Sequence, residues 1–123
     1  MKIFITGGTG FIGRHTVELL TKTNHKLVLL TRNTSNTSFI SSLSNQNVSL
    51  VKGDLTDEES LLNGMQGCDA VINIAAHYTL WEPDKKIYSR INIKGTQNGK
   101  RKLRHYQLPG NGVFRIEMIT HCI

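Results

Sequence analysis

The stretch IFITGGTGFIG, residues 3–13, decides the fold of this chain. Its apolar start predicts a strand, and the glycines that follow predict a tight turn leading directly into a helix. Gly7, Gly10 and Gly13 fit the pattern GxxGxxG, while Gly8, Gly10 and Gly13 also fit GxGxxG. A strand, a glycine turn and a helix in this order are the context in which such a pattern predicts a phosphate-binding turn.

The glycine spacing has a chemical reason. A tight turn needs residues that tolerate positive φ, a pyrophosphate needs backbone without a side chain in the way, and the helix must pack close to its strand. The start of the helix offers free N–H groups and a partial positive charge to phosphates. We therefore predict that residues 7–13 bind a dinucleotide; the alternative is a glycine-rich turn without a ligand.

The length and charge of the chain limit the kinds of protein it can be. With 123 residues it is one domain at most, shorter than the two halves of a full doubly wound sheet. The formal net charge is +6, of which residues 1–98 contribute +2 and residues 99–123 contribute +4. The basic balance therefore belongs mainly to the last part of the chain.

The sequence gives no indication of a metal site, a disulfide framework or a membrane span. Cys68 and Cys122 lack metal-binding or redox spacing, and two cysteines are too few for a disulfide framework. We therefore expect a reducing, cytoplasmic location. Met1 and Lys2 lead directly into the first strand, so we expect a structural N-terminus and not a signal peptide. No apolar run approaches the roughly 18 residues of a membrane helix.

A helix and a buried strand are predicted after the glycine turn. The helix is expected over residues 11–22, with one side against a sheet. That side is formed by Ile12, Thr16, Leu19 and Leu20. Leu27 to Leu30 is a continuous apolar run, which is typical of a strand buried on both faces in a parallel sheet.

The residues after this second strand bear on the choice of cofactor. An acidic residue there would bind a ribose 2′-hydroxyl, whereas this chain has Thr31, Arg32 and Asn33. A guanidinium can bind a 2′-phosphate through two hydrogen bonds. We therefore expect NADP in preference to NAD; the alternative is that Arg32 is a solvated loop charge.

A third strand is predicted at Val48 to Lys52, after a polar loop in which Phe39, Ile40 and Leu43 indicate a short helix. Asp54 follows this strand and has two candidate roles. Its carboxylate either accepts a hydrogen bond from an adenine amino group, with Leu55 covering the ring, or forms the turn before the next helix. The sequence does not separate these roles.

The next helix is predicted to begin with a capping box, with Thr56 as N-cap and Glu59 at position N3. Its inward residues are expected to be Leu61, Leu62 and Met65. It is expected to stop at Gly67. Residues 70–76, AVINIAA, then predict a fourth buried strand whose small C-terminal residues let a cofactor lie close.

Four motifs in this order resemble the N-terminal part of an extended short-chain dehydrogenase/reductase. They are TGGTGFIG (6–13), GDL (53–55), NIAA (73–76) and INIKGTQN (91–98). Within that superfamily the chain is similar to the NAD-dependent epimerase/dehydratase and dihydroflavonol-reductase-like groups. The resemblance implies a Rossmann-type α/β fold over residues 1–98, with a parallel sheet and helices on both faces. It also implies NAD(P) as cofactor and carbonyl reduction or sugar-nucleotide epimerisation as the reaction.

The same resemblance implies roles for individual residues. The glycine turn would bind the pyrophosphate, Arg32 the adenosine ribose or its phosphate, residues 54–55 the adenine, and residues 75–76 the middle of the cofactor. The candidate cofactor-binding residues are Gly7, Gly8, Thr9, Gly10, Phe11, Ile12, Gly13, Arg32, Asp54, Leu55, Ala75 and Ala76. Asn73 stands where relatives often have His, which leaves the role of its side chain open.

The resemblance ends after Asn98. A relative would continue with an alanine-rich helix, a strand ending in a catalytic Ser or Thr, and a Tyr-x-x-x-Lys pair, but no tyrosine here has a lysine four residues later. In that pair an adjacent ammonium lowers the pKa of the phenol, so that it passes a proton to the carbonyl as hydride arrives. We therefore identify no catalytic residue and expect the chain alone to be inactive.

Residues 99–123 form a basic tail whose sequence pattern differs from that of residues 1–98. Motif content, charge and periodicity change together at one point, so we hypothesise an out-of-frame or aberrantly spliced ending. The alternative is a divergent segment with a fifth strand at 113–119, although Arg115 and Glu117 alternate with apolar residues, as in an exposed strand. A sheet truncated after about four strands would have an open edge that invites association.

Three functions remain open at this stage. The first is a truncated NAD(P)-binding domain of a reductase or epimerase, and the second is a non-catalytic dinucleotide-binding module. The third, less favoured, is nucleic-acid binding through the basic tail, whose charges are Lys100, Arg101, Lys102 and Arg104. A small-molecule substrate cannot be named, because in such folds the C-terminal part selects it.

Overall fold

The computed structural model describes residues 1–43, 47–75 and 115–117, together with Lys94 and Gln97. Five strands and three helices are found there. In chain order they are β1 (Lys2–Thr6), α1 (Phe11–Leu20), β2 (Lys26–Thr31), α2 (Ser38–Ser41), β3 (Val48–Lys52), α3 (Glu58–Met65), β4 (Ala70–Asn73) and β5 (Arg115–Glu117). Ala76 and the basic run at 100–104 lie outside the described residues.

All five strands are parallel and form one sheet in the order β3-β2-β1-β4-β5. β1 lies in the middle, where Phe4 pairs with Val28 on one side and with Val71 on the other. A parallel sheet needs helices on its faces, and the apolar run of β1 is buried on both sides, as such a position requires. The predicted Rossmann-type sheet is confirmed.

Two apolar clusters cover the two faces of the sheet. Alternate residues of β1 and β2 pack with α1 and α2 on one face, in the cluster Ile3, Ile5, Val17, Leu27, Leu29, Phe39, Ala70 and Ile72. The residues between them pack with α3 on the other, in the cluster Phe4, Val28, Leu30, Leu55, Leu61, Met65, Cys68 and Val71. The strands therefore supply both cores, since successive side chains point to opposite faces.

The sheet-facing side of α1 differs from the prediction. Gly13 and Val17 are its buried residues, whereas Ile12 is 48% and Leu19 65% exposed. Of the four residues expected inside, Leu20 packs against the core cluster. The predicted phase was wrong because Gly13 is the point of closest approach to the glycine turn, and a residue without a side chain adds nothing to an apolar stripe. The helix also ends at Leu20, two residues earlier than expected.

The start of α3 was predicted one residue too early. Asp57 is the N-cap, and its carboxylate accepts a hydrogen bond from the N–H of Glu59 at 3.1 Å. Thr56 instead donates to Asp54. The expected stop is confirmed, because Gly67 has φ +69° directly after the last turn. Of the three residues expected inside, Leu61 and Met65 are buried, and Leu62 is exposed.

The fourth strand is not the open edge that we expected. β5 pairs with β4 in parallel, with Ile116 opposite Ile72 and Glu117 opposite Asn73. A segment of the basic tail thus extends the sheet.

Candidate functional site

The strand order reverses direction at β1. β2 and β3 lie to one side of β1, whereas β4 lies on the other side. In an open parallel sheet, the crevice outside the carboxyl ends of the strands at such a reversal is where ligands bind. Here the glycine turn follows β1 and residues 74–75 follow β4, so both segments lie at that edge of the sheet.

Two glycines of the turn are required by the backbone itself. Gly7 has φ +74°, and a Cβ there would lie 2.6 Å from Ala75 Cα. A Cβ on Gly13 would lie 2.8 Å from the Gly7 carbonyl carbon and closer still to its oxygen. Such distances exclude any side chain, so Gly7 and Gly13 are needed for the turn to pack against β4 and α1.

Gly10 is different, because the protein leaves room for a side chain there. It is exposed and is the N-cap of α1, with φ −75° and ψ 174°, which any residue adopts. An added Cβ would meet only Gly7 O, at an ordinary 3.4 Å. Neither backbone conformation nor packing in the described chain accounts for glycine at this position. Because Gly10 has no side chain, a ligand could lie directly against its backbone.

The first turn of α1 presents backbone donors beside Gly10. The first intrahelical hydrogen bond runs from Arg14 N to Gly10 O at 2.9 Å. The N–H groups of residues 11–13 precede that bond and have no carbonyl of their own helix to bind. No acidic residue lies in this first turn. Free N–H groups at a helix N-terminus favour a negatively charged ligand, and the 82% exposed Phe11 lies in this turn.

A part-buried hydrogen bond joins the carboxyl ends of β1 and β4. The Thr6 hydroxyl donates to Asn73 Oδ1, and Ile74 N donates to Thr6 O at 3.0 Å. The sequence left the role of Asn73 open. In the structure this side chain ties β4 to β1 where the glycine turn begins. Sequence reasoning missed Thr6, because only the pairing of the two strands brings it to Asn73.

Asp54 forms the turn before α3. Its Oδ1 accepts hydrogen bonds from Thr56 N at 2.8 Å and Thr56 Oγ1 at 2.7 Å. The Ser60 hydroxyl links this turn to the helix, donating to Asp54 O at 3.1 Å. Leu55 is only 8% exposed and belongs to the core under α3. Of the two roles considered for Asp54, turn formation is therefore observed.

Arg32 lies exposed at the carboxyl end of β2. Its backbone is held in a turn, since Arg32 N donates to Ser35 Oγ and Ser35 N donates to Arg32 O, both at 3.0 Å. A second arginine, which the sequence analysis overlooked, is Arg14. Its guanidinium carbon lies 4.8 Å from the centre of the Phe39 ring. Its place directly after the third glycine was the available signal.

The cysteine in the described part of the chain is not a nucleophile of this site. Cys68 is buried, and its thiol donates to Gly64 O at 3.5 Å. Burial raises the pKa of this thiol, an effect that the nearby Lys2 partly opposes. Within the same residues, no group of three or more His, Cys, Asp or Glu side chains could hold a metal ion, and no helix is long and apolar enough to cross a membrane.

The model of the NmrA-like family matches residues 1–97. A putative dihydroflavonol 4-reductase of Synechocystis sp. is 39% identical over 95 residues, which are 77% of this chain and 26% of the relative. Phenylcoumaran benzylic ether reductase 1 of Arabidopsis thaliana is 36% identical over 105 residues, which are 81% of this chain and 33% of the relative. The chain thus spans about a quarter to a third of these curated relatives.

The same region is similar to solved structures. The UDP-glucose 4-epimerase of Thermus thermophilus, crystallised as a complex with NAD, superposes with a TM-score of 0.73 at 25% identity. The match covers 88% of this chain and 35% of the epimerase chain. The family match ends at residue 97, next to the point where the motifs of the sequence end.

Proposed function

The chain belongs to the NmrA-like family, and from that membership we propose that it binds a nicotinamide adenine dinucleotide across the glycine turn. Similarity to reductases and to an epimerase confirms the resemblance to the N-terminal part of an extended short-chain dehydrogenase/reductase. The observation that carries the proposal is Gly10. Among the described residues nothing that packs near Gly10 excludes a side chain, yet its bare backbone lies beside free helix donors at the reversal of the sheet.

The proposed contacts follow from this placement. The pyrophosphate lies on residues 7–13 and accepts hydrogen bonds from the first turn of α1. The family resemblance implies that Ala75 and Ala76 would contact the middle of the cofactor; Ala75 lies just after the end of β4, where its backbone meets Gly7. The adenosine extends toward the carboxyl ends of β2 and β3. There Asp54 would bind the adenine amino group in addition to its observed role in the turn, in which Oδ1 accepts from Thr56. Since Leu55 is almost fully buried, its side chain would pack in the core beneath the proposed position of the adenine and would not cover the ring.

We propose NADP in preference to NAD. The residue after β2 is the exposed Arg32, and no Asp or Glu lies between Glu18 and Asp54 to bind a ribose 2′-hydroxyl. A guanidinium matches the geometry and charge of a 2′-phosphate. A cytoplasmic location, in which Cys68 would stay reduced, is part of the same proposal.

The relatives suggest that the fold serves a reductase or an epimerase, and that activity belongs to this chain only as a proposal. A Tyr-x-x-x-Lys pair is absent from its sequence. We therefore propose that the chain binds the dinucleotide without turning it over. The substrate would be selected by residues that the cofactor-binding region does not include.

Titration of the purified chain with NADPH, NADH and a DNA oligonucleotide at two salt concentrations tests the proposal. Saturable NADPH binding, tighter than NADH binding, is expected. Oligonucleotide binding that falls steeply with salt, without any dinucleotide binding, would indicate instead that the basic tail binds nucleic acid. Oxidation of NADPH by the chain in the presence of a ketone would overturn the expectation of binding without turnover.

A further inference from the structure

Arg14 is held against an aromatic ring of another element. The 4.8 Å between its guanidinium carbon and the Phe39 ring centre is a cation–π distance. Phe39 is buried and packs in the cluster under α1, whereas Arg14 is exposed. The ring is therefore anchored in the core, and the charge above it faces outward.

This contact directs Arg14 toward the segment that follows β2. β1 and β2 are parallel neighbours, with Thr6 opposite Leu30, so the first turn of α1 and the β2–α2 connection share one edge of the sheet. Arg32 begins that connection, and α2, which contains Phe39, ends it. Two arginines are thus next to the β2–α2 connection: Arg32 is its first residue, and Arg14 contacts Phe39 of α2 from the first turns of α1.

Neither Arg14 nor Arg32 forms an ion pair with a carboxylate in the described residues. No acidic residue occurs between Glu18 and Asp54. Within the described chain, Glu18 pairs with His15, at 3.6 Å between Oε2 and Nδ1. Two guanidinium groups without carboxylate partners favour a ligand that carries more than one negative charge.

We infer that Arg14 and Arg32 together bind the 2′-phosphate of NADP, and that Phe39 positions Arg14 for this contact. The inference rests on the proposed function, because it needs the adenosine ribose near the end of β2. A guanidinium stacked on a ring keeps the N–H groups of its edge in a fixed plane. Stacking on Phe39 therefore reduces the rotamer freedom that Arg14 would lose on binding.

A purely structural role for Arg14 makes a different prediction. If the side chain only covers the outer face of a core ring, its replacement lowers stability and leaves discrimination between cofactors unchanged. The affinity ratio of two ligands that differ only in the 2′-phosphate separates the two roles, because an effect on folding changes both affinities alike.

The experiment compares the full-length wild type with Arg14→Gln, Arg32→Gln and Phe39→Leu. Lys22→Gln, which removes an exposed charge just beyond the other end of α1, is the matched control. Each is titrated with adenosine 2′,5′-bisphosphate and with 5′-AMP, and the wild type also with NADPH. We expect each arginine variant to bind the bisphosphate about tenfold more weakly and 5′-AMP within about twofold of wild type. Lys22→Gln should leave both affinities unchanged. Phe39→Leu should lower the ratio of bisphosphate affinity to 5′-AMP affinity, by a smaller factor than the arginine variants do.

The outcomes are distinguishable. An unchanged ratio in Arg14→Gln, alongside a lowered ratio in Arg32→Gln, would overturn the role of Arg14 and leave the proposed function standing. A wild-type ratio in Phe39→Leu, with a lowered ratio in Arg14→Gln, would overturn the positioning role of Phe39. Failure of the wild type to bind NADPH would remove the proposed function itself.

Discussion

The carbonyl group of Gly7 occupies the space that a side chain on Gly13 would need, with the Gly7 carbonyl carbon 2.8 Å from the position of such a Cβ. This approach brings the first turn of α1 against the end of β1. It also divides the three glycines by role. Gly7 and Gly13 are required by the packing of the turn, and we propose that Gly10 is glycine because a diphosphate lies against its backbone.

Gly13→Ala should destabilise the fold. The added methyl group must displace the Gly7 backbone, so we expect a loss of about 1–3 kcal/mol in the free energy of unfolding. Chemical denaturation followed by circular dichroism measures it. Gly10→Ala is the matched control and should cost less than Gly13→Ala, at most about 1 kcal/mol, since alanine is a poorer N-cap than glycine but meets no backbone there. Equal losses in the two variants would refute this division of roles.

Thr6→Val should loosen the two strand ends that border the crevice. It keeps the shape of the buried Thr6 but removes the hydroxyl that donates to Asn73, at a cost of about 1 kcal/mol in the free energy of unfolding. Thr16→Val, which removes a hydroxyl bonded within α1, is the control and should cost less. A larger loss for Thr16→Val than for Thr6→Val would contradict the prediction.

Asp57→Ala should shorten or destabilise α3. The Asp57 carboxylate is the N-cap and bonds Glu59 N at 3.1 Å, so its removal should cost about 1 kcal/mol in the free energy of unfolding. Thr56→Ala removes a hydroxyl that bonds Asp54 instead and should cost less. The reverse order would restore Thr56 as the cap that the sequence pattern indicated.

Local patterns were sufficient for most of the sheet. About ten residues are enough to recognise each of three features: the apolar run of β1, the apolar run of β2, and the glycine turn between β1 and α1. Where the prediction failed, either the deciding residue had no side chain or a neighbouring residue made a competing hydrogen bond. Gly13 sets the phase of α1 through its approach to Gly7, and Asp54 takes the hydroxyl of Thr56 away from the start of α3.

The candidate site divides in the same way. The glycines were identified from their spacing, because all three lie within one short stretch of the sequence. Thr6 and Asn73 lie 67 positions apart, and only the β1–β4 pairing brings them together. The stacking of Arg14 on Phe39 likewise depends on how α1 and α2 pack, so a sequence pattern identified Arg32 but not its proposed companion. A fifth strand at 113–119 was one of two alternatives left open by the sequence, and β5 (Arg115–Glu117) lies within that range.

Residues 99–123 allow a test at the level of the gene. We propose that this segment is an out-of-frame or aberrantly spliced ending, since motifs and charge change at the point where the family match ends. Translating the encoding nucleotides in the other two frames should reveal an alanine-rich helix and, downstream, a Tyr-x-x-x-Lys pair. If neither frame continues the family pattern, a divergent segment containing β5 is the better description.

The central claim is that the glycine turn binds a diphosphate, and Gly10→Asp tests it most directly. Aspartate is a favoured N-cap beside a helix dipole, so this variant should be at least as stable as wild type. Its carboxylate would occupy the anion site, and calorimetric titration should therefore show NADPH binding weakened by about a hundredfold or more. A stable Gly10→Asp chain that binds NADPH as tightly as wild type would contradict the account.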